Sequence, residues 1–216
     1  MTLTYDLYWS FRSPYSYFVV KRLVALERDY DVTCNVRVVY PLAVRNPEFF
    51  DSNDPLWIQY FMRDIFRCAQ FLKLSFSWPS PDPVVMDMAT RTYPKEQPYI
   101  YRLSQLGQAA AEAGKGLSFI DEVSSTIWGG TVKRWNEGDH LAKAAERAGL
   151  NLAELDAKIS ANPTHYDSRI KTSQDAQREG GHYGVPLMVF DGEPFFGQDR
   201  FDQMKWRMEQ KGLKTR

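Results

Sequence analysis

Two short segments of this 216-residue chain carry residue types that could act together on a sulfur atom. Ser10-Phe11-Arg12-Ser13-Pro14-Tyr15-Ser16-Tyr17 follows an apolar run and opens a helical pattern, which places Ser13 at a helix N-terminus. Unpaired backbone N–H groups and the helix dipole favour negative charge there. A serine hydroxyl is too weak an acid to ionise under that influence, but it can donate a hydrogen bond to a thiolate brought by another molecule. Lowering a bound thiol's pKa by one unit corresponds to about 1.4 kcal/mol, within reach of one charge-assisted hydrogen bond. More than 170 residues later, Gly184-Val185-Pro186 leads into a second apolar run. Taken singly, each segment has an ordinary reading: a serine before proline caps a helix, and an X-Pro pair starts an edge strand.

The elements that must position these groups follow from the hydrophobic pattern. Residues 4–9 alternate and are rich in aromatics, as a strand requires. Pro14 suits a first helical turn, and Tyr17, Phe18, Val20, Leu23, Val24 and Leu26 recur at helical spacing to about Arg28. Val32 to Tyr40 reads as a second strand ended by Pro41. Asn46 to Pro55 reads as a polar loop, followed by a helix from about Leu56 to Leu72. Trp78 to Pro83 holds three prolines and must be irregular. Helices are expected at 98–113, 117–128, 140–148 and 152–160, with Asp139 and Asn151 as N-caps and Glu154 completing a weak capping box. A further helix begins at Pro163 and stops at Gly180-Gly181. Leu187–Phe190 and Glu193–Phe196 read as strands joined by the hairpin turn Asp191-Gly192, and Phe201, Met204 and Met208 mark a closing amphipathic helix.

The order β-α-β, helical block, β-β-α is that of a thioredoxin-like α/β fold interrupted by a large all-helical insertion. Residues 1–45 and 180–216 would form the split thioredoxin-like domain, and 46–179 the helical insertion domain. Ligand sites favour an interface of this kind. In a thioredoxin fold, an X-Pro at the position of Val185-Pro186 is the cis-proline. The backbone of the residue before it offers an N–H and a C=O to a cysteinyl peptide.

Composition narrows the function classes. Zero formal net charge and a pI near 6.8 give no electrostatic reason to expect nucleic acid or an anionic membrane, and the basic pair Lys133-Arg134 is too short to change that. No segment approaches the roughly 18 apolar residues of a membrane span, and Met-Thr-Leu-Thr-Tyr-Asp has no basic region, so a cytoplasmic location is expected. Cys34 and Cys68, 34 residues apart, suggest neither a disulfide framework nor a Cys-x-x-Cys motif and read as ordinary buried thiols. His140, His165 and His182 share no metal-ligand spacing, so no metal is assigned. His182 stands close to the Val-Pro turn but reads as a surface histidine. Six Trp, twelve Tyr and thirteen Phe will mostly be core, with a few able to line a pocket for a flat ligand.

Ser13-Pro14-Tyr15-Ser16-Tyr17, Tyr183-Gly184-Val185-Pro186 and Asp191-Gly192-Glu193-Pro194-Phe195-Phe196-Gly197-Gln198-Asp199-Arg200 resemble the 2-hydroxychromene-2-carboxylate isomerases, relatives of the kappa-class glutathione transferases. The resemblance runs nearly the whole length and is most specific at both ends. The wider group includes the DsbA-type disulfide oxidoreductases, whose activity needs the two neighbouring thiols this chain lacks.

The resemblance implies glutathione as cofactor and a small aromatic substrate. Ser13 matches the serine that contacts the glutathione sulfur, Val185 the residue whose backbone pairs with the cysteinyl moiety, and Pro186 the cis-proline. Gln198 and Asp199 match the positions that hold the γ-glutamyl end, where a carboxylate would meet the α-ammonium. By its position alone, Asp199 could equally be the N-cap of the last helix. Asn46 is the favoured match for the asparagine at the glycyl end, with Asn53 in Asn53-Asp54-Pro55 as a second candidate. The basic residue usual before the next helix is replaced by Leu56-Trp57-Ile58. Met62-Arg63-Asp64 resembles the start of the family's helical lobe. Trp135-Asn136-Glu137-Gly138 partly matches a segment facing the site, although Trp135 and Trp128 each read more readily as core. The implied activity is a glutathione-dependent isomerisation with Ser13 as the catalytic side chain, in a homodimer. The same residues allow a kappa-like transferase or peroxidase, or a glutathione-binding module without catalysis.

Overall fold

The computed structural model describes residues 2–49, 54–87 and 92–216. Its sheet is made from the two ends of the sequence. Strand β1 (Leu3–Trp9) pairs in parallel with β2 (Val32–Val38), from Leu3 opposite Val32 to Trp9 opposite Val38. On its other side β1 pairs antiparallel with β3 (Leu187–Phe190), which pairs antiparallel with β4 (Glu193–Phe196). The order is β2-β1-β3-β4. The crossover between the parallel strands is helix α1 (Pro14–Asp29), as a parallel pair requires. The β3–β4 hairpin turns at Asp191 and Gly192, both with positive φ (52° and 78°), the backbone of a type I′ turn.

Strand β2 ends at Val38, two residues before the expected Tyr40. The Val39 N–H still reaches the Trp9 carbonyl, but the Tyr40 N–H is taken by Gln174 Oε1 and Pro41 has none to offer. Beyond Pro41 the chain forms a four-residue helix, α2 (Leu42–Arg45), and a single 3₁₀ turn at Pro47–Phe49, within the start of the expected loop. Helices α3 (Pro55–Phe71), α4 (Ile100–Glu112), α5 (Gly116–Trp128), α6 (His140–Arg147), α7 (Leu152–Ala161) and α8 (Pro163–Glu179) follow before the chain returns to the sheet, and α9 (Phe201–Gln210) closes it. Asn151 caps α7 by accepting the Glu154 N–H at 3.2 Å. Asp139 precedes α6 without a side-chain capping bond and pairs with Lys143 instead.

One apolar cluster runs from the sheet into the helices, joining Leu7, Trp9 and Phe11 to Phe119, Ile120, Val123 and Trp128. Gly107 in α4 makes the close approach possible: a Cβ there would lie 2.8 Å from the Phe11 ring and 3.2 Å from Val38. Helix α3 is different, because only Ile65 and Ala69 of its residues are buried and Leu56, Tyr60 and Phe71 are largely exposed. Among the described residues, no helix is long and apolar enough to cross a membrane.

Candidate active site

Ser13 and Val185 meet. The Ser13 hydroxyl accepts the Ser16 N–H at 3.2 Å, as a helix N-cap does, and donates to the Val185 carbonyl at 3.3 Å across 172 residues of sequence. The Val185-Pro186 peptide is cis. The Pro186 carbonyl accepts the Gly197 N–H at 3.0 Å, which brings the Gly197-Gln198-Asp199 turn alongside. Gly197 takes φ 104°, and a Cβ there would stand 2.6 Å from Asp199 Oδ1, so a larger residue would be both strained and crowded.

The segment carrying Ser13 is pinned from beneath. Trp128, fully buried, donates its indole N–H to the Phe11 carbonyl at 2.9 Å. Arg12 grips Asp82 through Nε and Nη2 at 3.1 and 3.2 Å, and Trp135 donates to the adjacent Pro81 carbonyl at 2.7 Å. Both tryptophans are therefore core, as their sequence context suggested. They act on the site through backbone carbonyls.

The Val185 side is pinned with equal care. Gln177 of α8, with no exposed surface, donates to the Gly184 carbonyl at 2.6 Å. Arg45 at the end of α2 donates to the Tyr183 carbonyl at 2.6 Å and to Gln177 Oε1 at 3.1 Å. His182 is not the surface histidine its context suggested. It is half-buried, its Nδ1 accepts the Gly184 N–H at 2.9 Å, and its ring stacks on Phe196 at 3.7 Å. Burial lowers its pKa, and the accepting nitrogen requires that ring position to be unprotonated.

Around these groups runs a chain of touching rings. Tyr15 meets Phe61 edge-on at 5.8 Å, and Phe61 stacks on Trp57 at 5.4 Å. Trp57 meets Phe49 at 6.2 Å, Phe49 meets Tyr183 at 5.9 Å, and Tyr183 stacks on His182 at 4.7 Å. The chain starts two residues after Ser13 and returns two residues before Val185. Trp57, Tyr183 and Phe196 are each about two-fifths exposed (39%, 42% and 43%), so an apolar planar molecule could reach them.

The other expected residues fall as follows. Gln198 is half-buried, and its backbone carbonyl and Oε1 both accept from Arg22 Nη2 at 2.6 Å, while its Nε2 points at Cys68 Sγ, 3.8 Å away. Asp199 is open to solvent, 3.7 Å from Arg200. It does not cap α9, which starts from Arg200 with no side-chain capping bond, because Asp199 is itself the middle residue of the 3₁₀ turn Gln198–Arg200 that leads into the helix. Asn46 is exposed and follows α2, and its backbone carbonyl accepts the Phe49 N–H. The alternative Asn53 lies outside the described residues. Cys34 and Cys68 are free and half-buried, not fully buried. Burial pushes both thiols up, Cys68 to about 11 with help from Asp64, so neither offers a thiolate near neutral pH.

Of three supporting residues, Asp64 stood in the Met62-Arg63-Asp64 resemblance without a role of its own, and Arg22 and Gln177 gave no sequence signal. Asp64 of α3 accepts the Tyr15 hydroxyl at 2.6 Å and the Cys68 thiol at 3.4 Å. Arg22 and Gln177 act across 176 and 7 residues of sequence, at spacings no motif encodes.

A hydroxyl at a helix start faces a peptide carbonyl beside a proline, and a Cβ at Gly184 would come within 2.5 Å of the Phe196 ring, so that wall is already filled by an aromatic. The fold defines a class: residues 4–209 match the DSBA-like thioredoxin domain, and the chain is a member of that family. Within it, the chain is 26% identical to a 2-hydroxychromene-2-carboxylate isomerase of Sphingobium xenophagum over 206 residues (94% of this chain, 96% of that one). It is 23% identical to the protein of the same name from Pseudomonas putida over 209 residues (94% and 93%). A solved 2-hydroxychromene-2-carboxylate isomerase superposes with TM-score 0.73 at 20% identity, covering 96% of this chain and 95% of that one, and so shares the fold.

Proposed function

We propose that this chain is a glutathione-dependent isomerase of the 2-hydroxychromene-2-carboxylate isomerase type, acting on an unsaturated aromatic acid. The observation that carries the reading is the meeting of the Ser13 hydroxyl with the Val185 carbonyl at the start of α1, where a serine stands in place of a redox cysteine. The names of the two curated relatives, matched over 94% of the chain, support the same class.

Bound glutathione would supply a thiolate that adds reversibly to the substrate, frees a bond to rotate, and departs. The residues of the chain make that sulfur an anion and hold it. Ser13, fixed by the Ser16 N–H, can turn its proton from the Val185 carbonyl to a sulfur, and the N-terminus of α1 adds its positive potential. Val185 lends its backbone to the cysteinyl unit, Gln198 and Asp199 receive the γ-glutamyl end, and Asn46 lies on the loop that would meet the glycyl end. Tyr183, Trp57 and Phe196, each partly exposed, would offer apolar ring surface to a planar substrate.

Calorimetric titration with glutathione, followed by turnover of 2-hydroxychromene-2-carboxylate with and without the thiol, tests the reading. Binding near micromolar to millimolar, turnover that requires the thiol, and collapse of turnover in Ser13→Ala are expected. Turnover that does not need glutathione, or a Ser13→Ala variant of undiminished activity, would sink it. Light scattering in solution checks the homodimer that the same resemblance implies.

A further inference from the structure

Arg45 is a cation with only neutral partners. Its guanidinium donates to the Tyr183 carbonyl and to Gln177 Oε1, and its Nε is buried with no partner. Among the described residues no Asp or Glu pairs with it, and the charge nearest in effect is another guanidinium, Arg178 of α8. Burial first, and then that like charge, hold the Arg45 pKa down to about 10. Arg178 itself is exposed and extends the positive patch toward solvent. Keeping a half-buried cation beside a second one is unfavourable unless an anion joins them. The two carbonyls clamped through Arg45 and Gln177 belong to Tyr183 and Gly184, the residues leading directly into Val185-Pro186. The unbalanced charge therefore sits at the edge of the candidate active site.

We infer that Arg45, supported by Arg178, receives a carboxylate of the molecule bound beside Val185. A guanidinium fork suits a carboxylate, and Nη atoms already fixed by neutral acceptors need no reorganisation to take one more. The inference rests on the glutathione reading for one source of the carboxylate, the glycyl end of the tripeptide. The other source is the acid group of the substrate.

The test is a binding cycle read by calorimetry. Wild type, Arg45→Met and Arg178→Gln are titrated with glutathione and with its glycyl ethyl ester, then with the substrate acid and its methyl ester. If the glycyl group is the source, the wild type binds the glutathione ester about tenfold to a hundredfold more weakly than the acid, and the difference vanishes in Arg45→Met. If the substrate is the source, the same pattern appears in the second pair of ligands. Arg178→Gln, which leaves the Tyr183 clamp intact, should shrink the acid–ester difference severalfold and so keeps the test open should Arg45→Met fail to fold. Equal affinities within both pairs in wild type overturn the inference while leaving the glutathione reading standing. Failure of wild type to bind glutathione in any form removes that reading, and the substrate pair alone then decides the carboxylate site.

Discussion

The indole N–H of Trp128 donates to the backbone carbonyl of Phe11 at 2.9 Å, with both residues buried. This bond ties the last turn of α5 to the loop that presents Ser13, so a helix far along the sequence sets the height of the hydroxyl. Replacing Trp128 with Phe leaves that carbonyl buried and unpaired. The variant should lose about 1–3 kcal/mol of stability, read as a lowered midpoint in urea with an unchanged slope.

Ser13→Ala removes both the cap of α1 and the proton aimed at Val185. Stability should fall by about 1 kcal/mol, while thiol-dependent turnover falls by roughly 100-fold or more, the order seen when one oriented donor is lost. Ser13→Cys should restore the cap only weakly and place a thiol at a helix start. Its absorbance near 240 nm should titrate below the ordinary cysteine pKa of about 8.5, whereas a pKa above that value would show that the helix end exerts no useful field.

Asp64 joins α3 to α1. Burial works to raise its pKa, but the hydrogen bonds from Tyr15, Arg67 and Cys68 outweigh it and hold the carboxyl below the usual range. A depressed carboxylate stabilises the fold above its unfolded pKa of about 3.9 and loses that contribution as the pH falls through the folded value. Asp64→Asn should therefore cost about 1–3 kcal/mol at pH 7, and the gap from wild type should close below about pH 4. A gap independent of pH would assign the effect to packing.

Arg22 holds Gln198 by its carbonyl and its amide oxygen together. Without it the amide can turn, and on the proposed glutathione reading the γ-glutamyl end would lose an oriented partner. Arg22→Met should raise the Kd for glutathione about tenfold, near 1.4 kcal/mol, while kcat at saturating thiol stays within about twofold of wild type. An unchanged Kd would show that Gln198 needs no such support.

Thiol chemistry offers an independent check. With Cys68 pushed up to about 11 and Cys34 also raised, alkylation at pH 7.5 should be much slower than for an exposed peptide cysteine. The Cys68 rate should still be climbing at pH 10.

Much of this architecture was legible in the residues. Pro14 after Ser13 marks a helix start by its fixed φ and missing N–H, and Asp191-Gly192 marks a hairpin because both positions require positive φ. Such signals are local, and they hold whatever surrounds them. The clamps on the site were not legible. Arg45, Gln177 and Arg22 act through side-chain directions that packing sets, and nothing in their immediate neighbours points toward Tyr183, Gly184 or Gln198. His182 misleads for the same reason: its burial comes from Phe196, fourteen residues on, folding back across it. Asp199 has the residue type of a cap, yet it lies within the 3₁₀ turn that precedes the helix, and Arg200 takes the N-cap position.

Because β1 lies between β2 and β3, the middle of the sheet waits for a partner some 180 residues further along. During synthesis the first two strands can form only a two-stranded parallel ribbon, a weak unit with an open flank. The whole helical portion must emerge before that flank is covered and before Ser13 finds Val185. A ribosome-bound chain halted ahead of residue 185 therefore has the Ser13 hydroxyl at its helix start and nothing across the site for it to face.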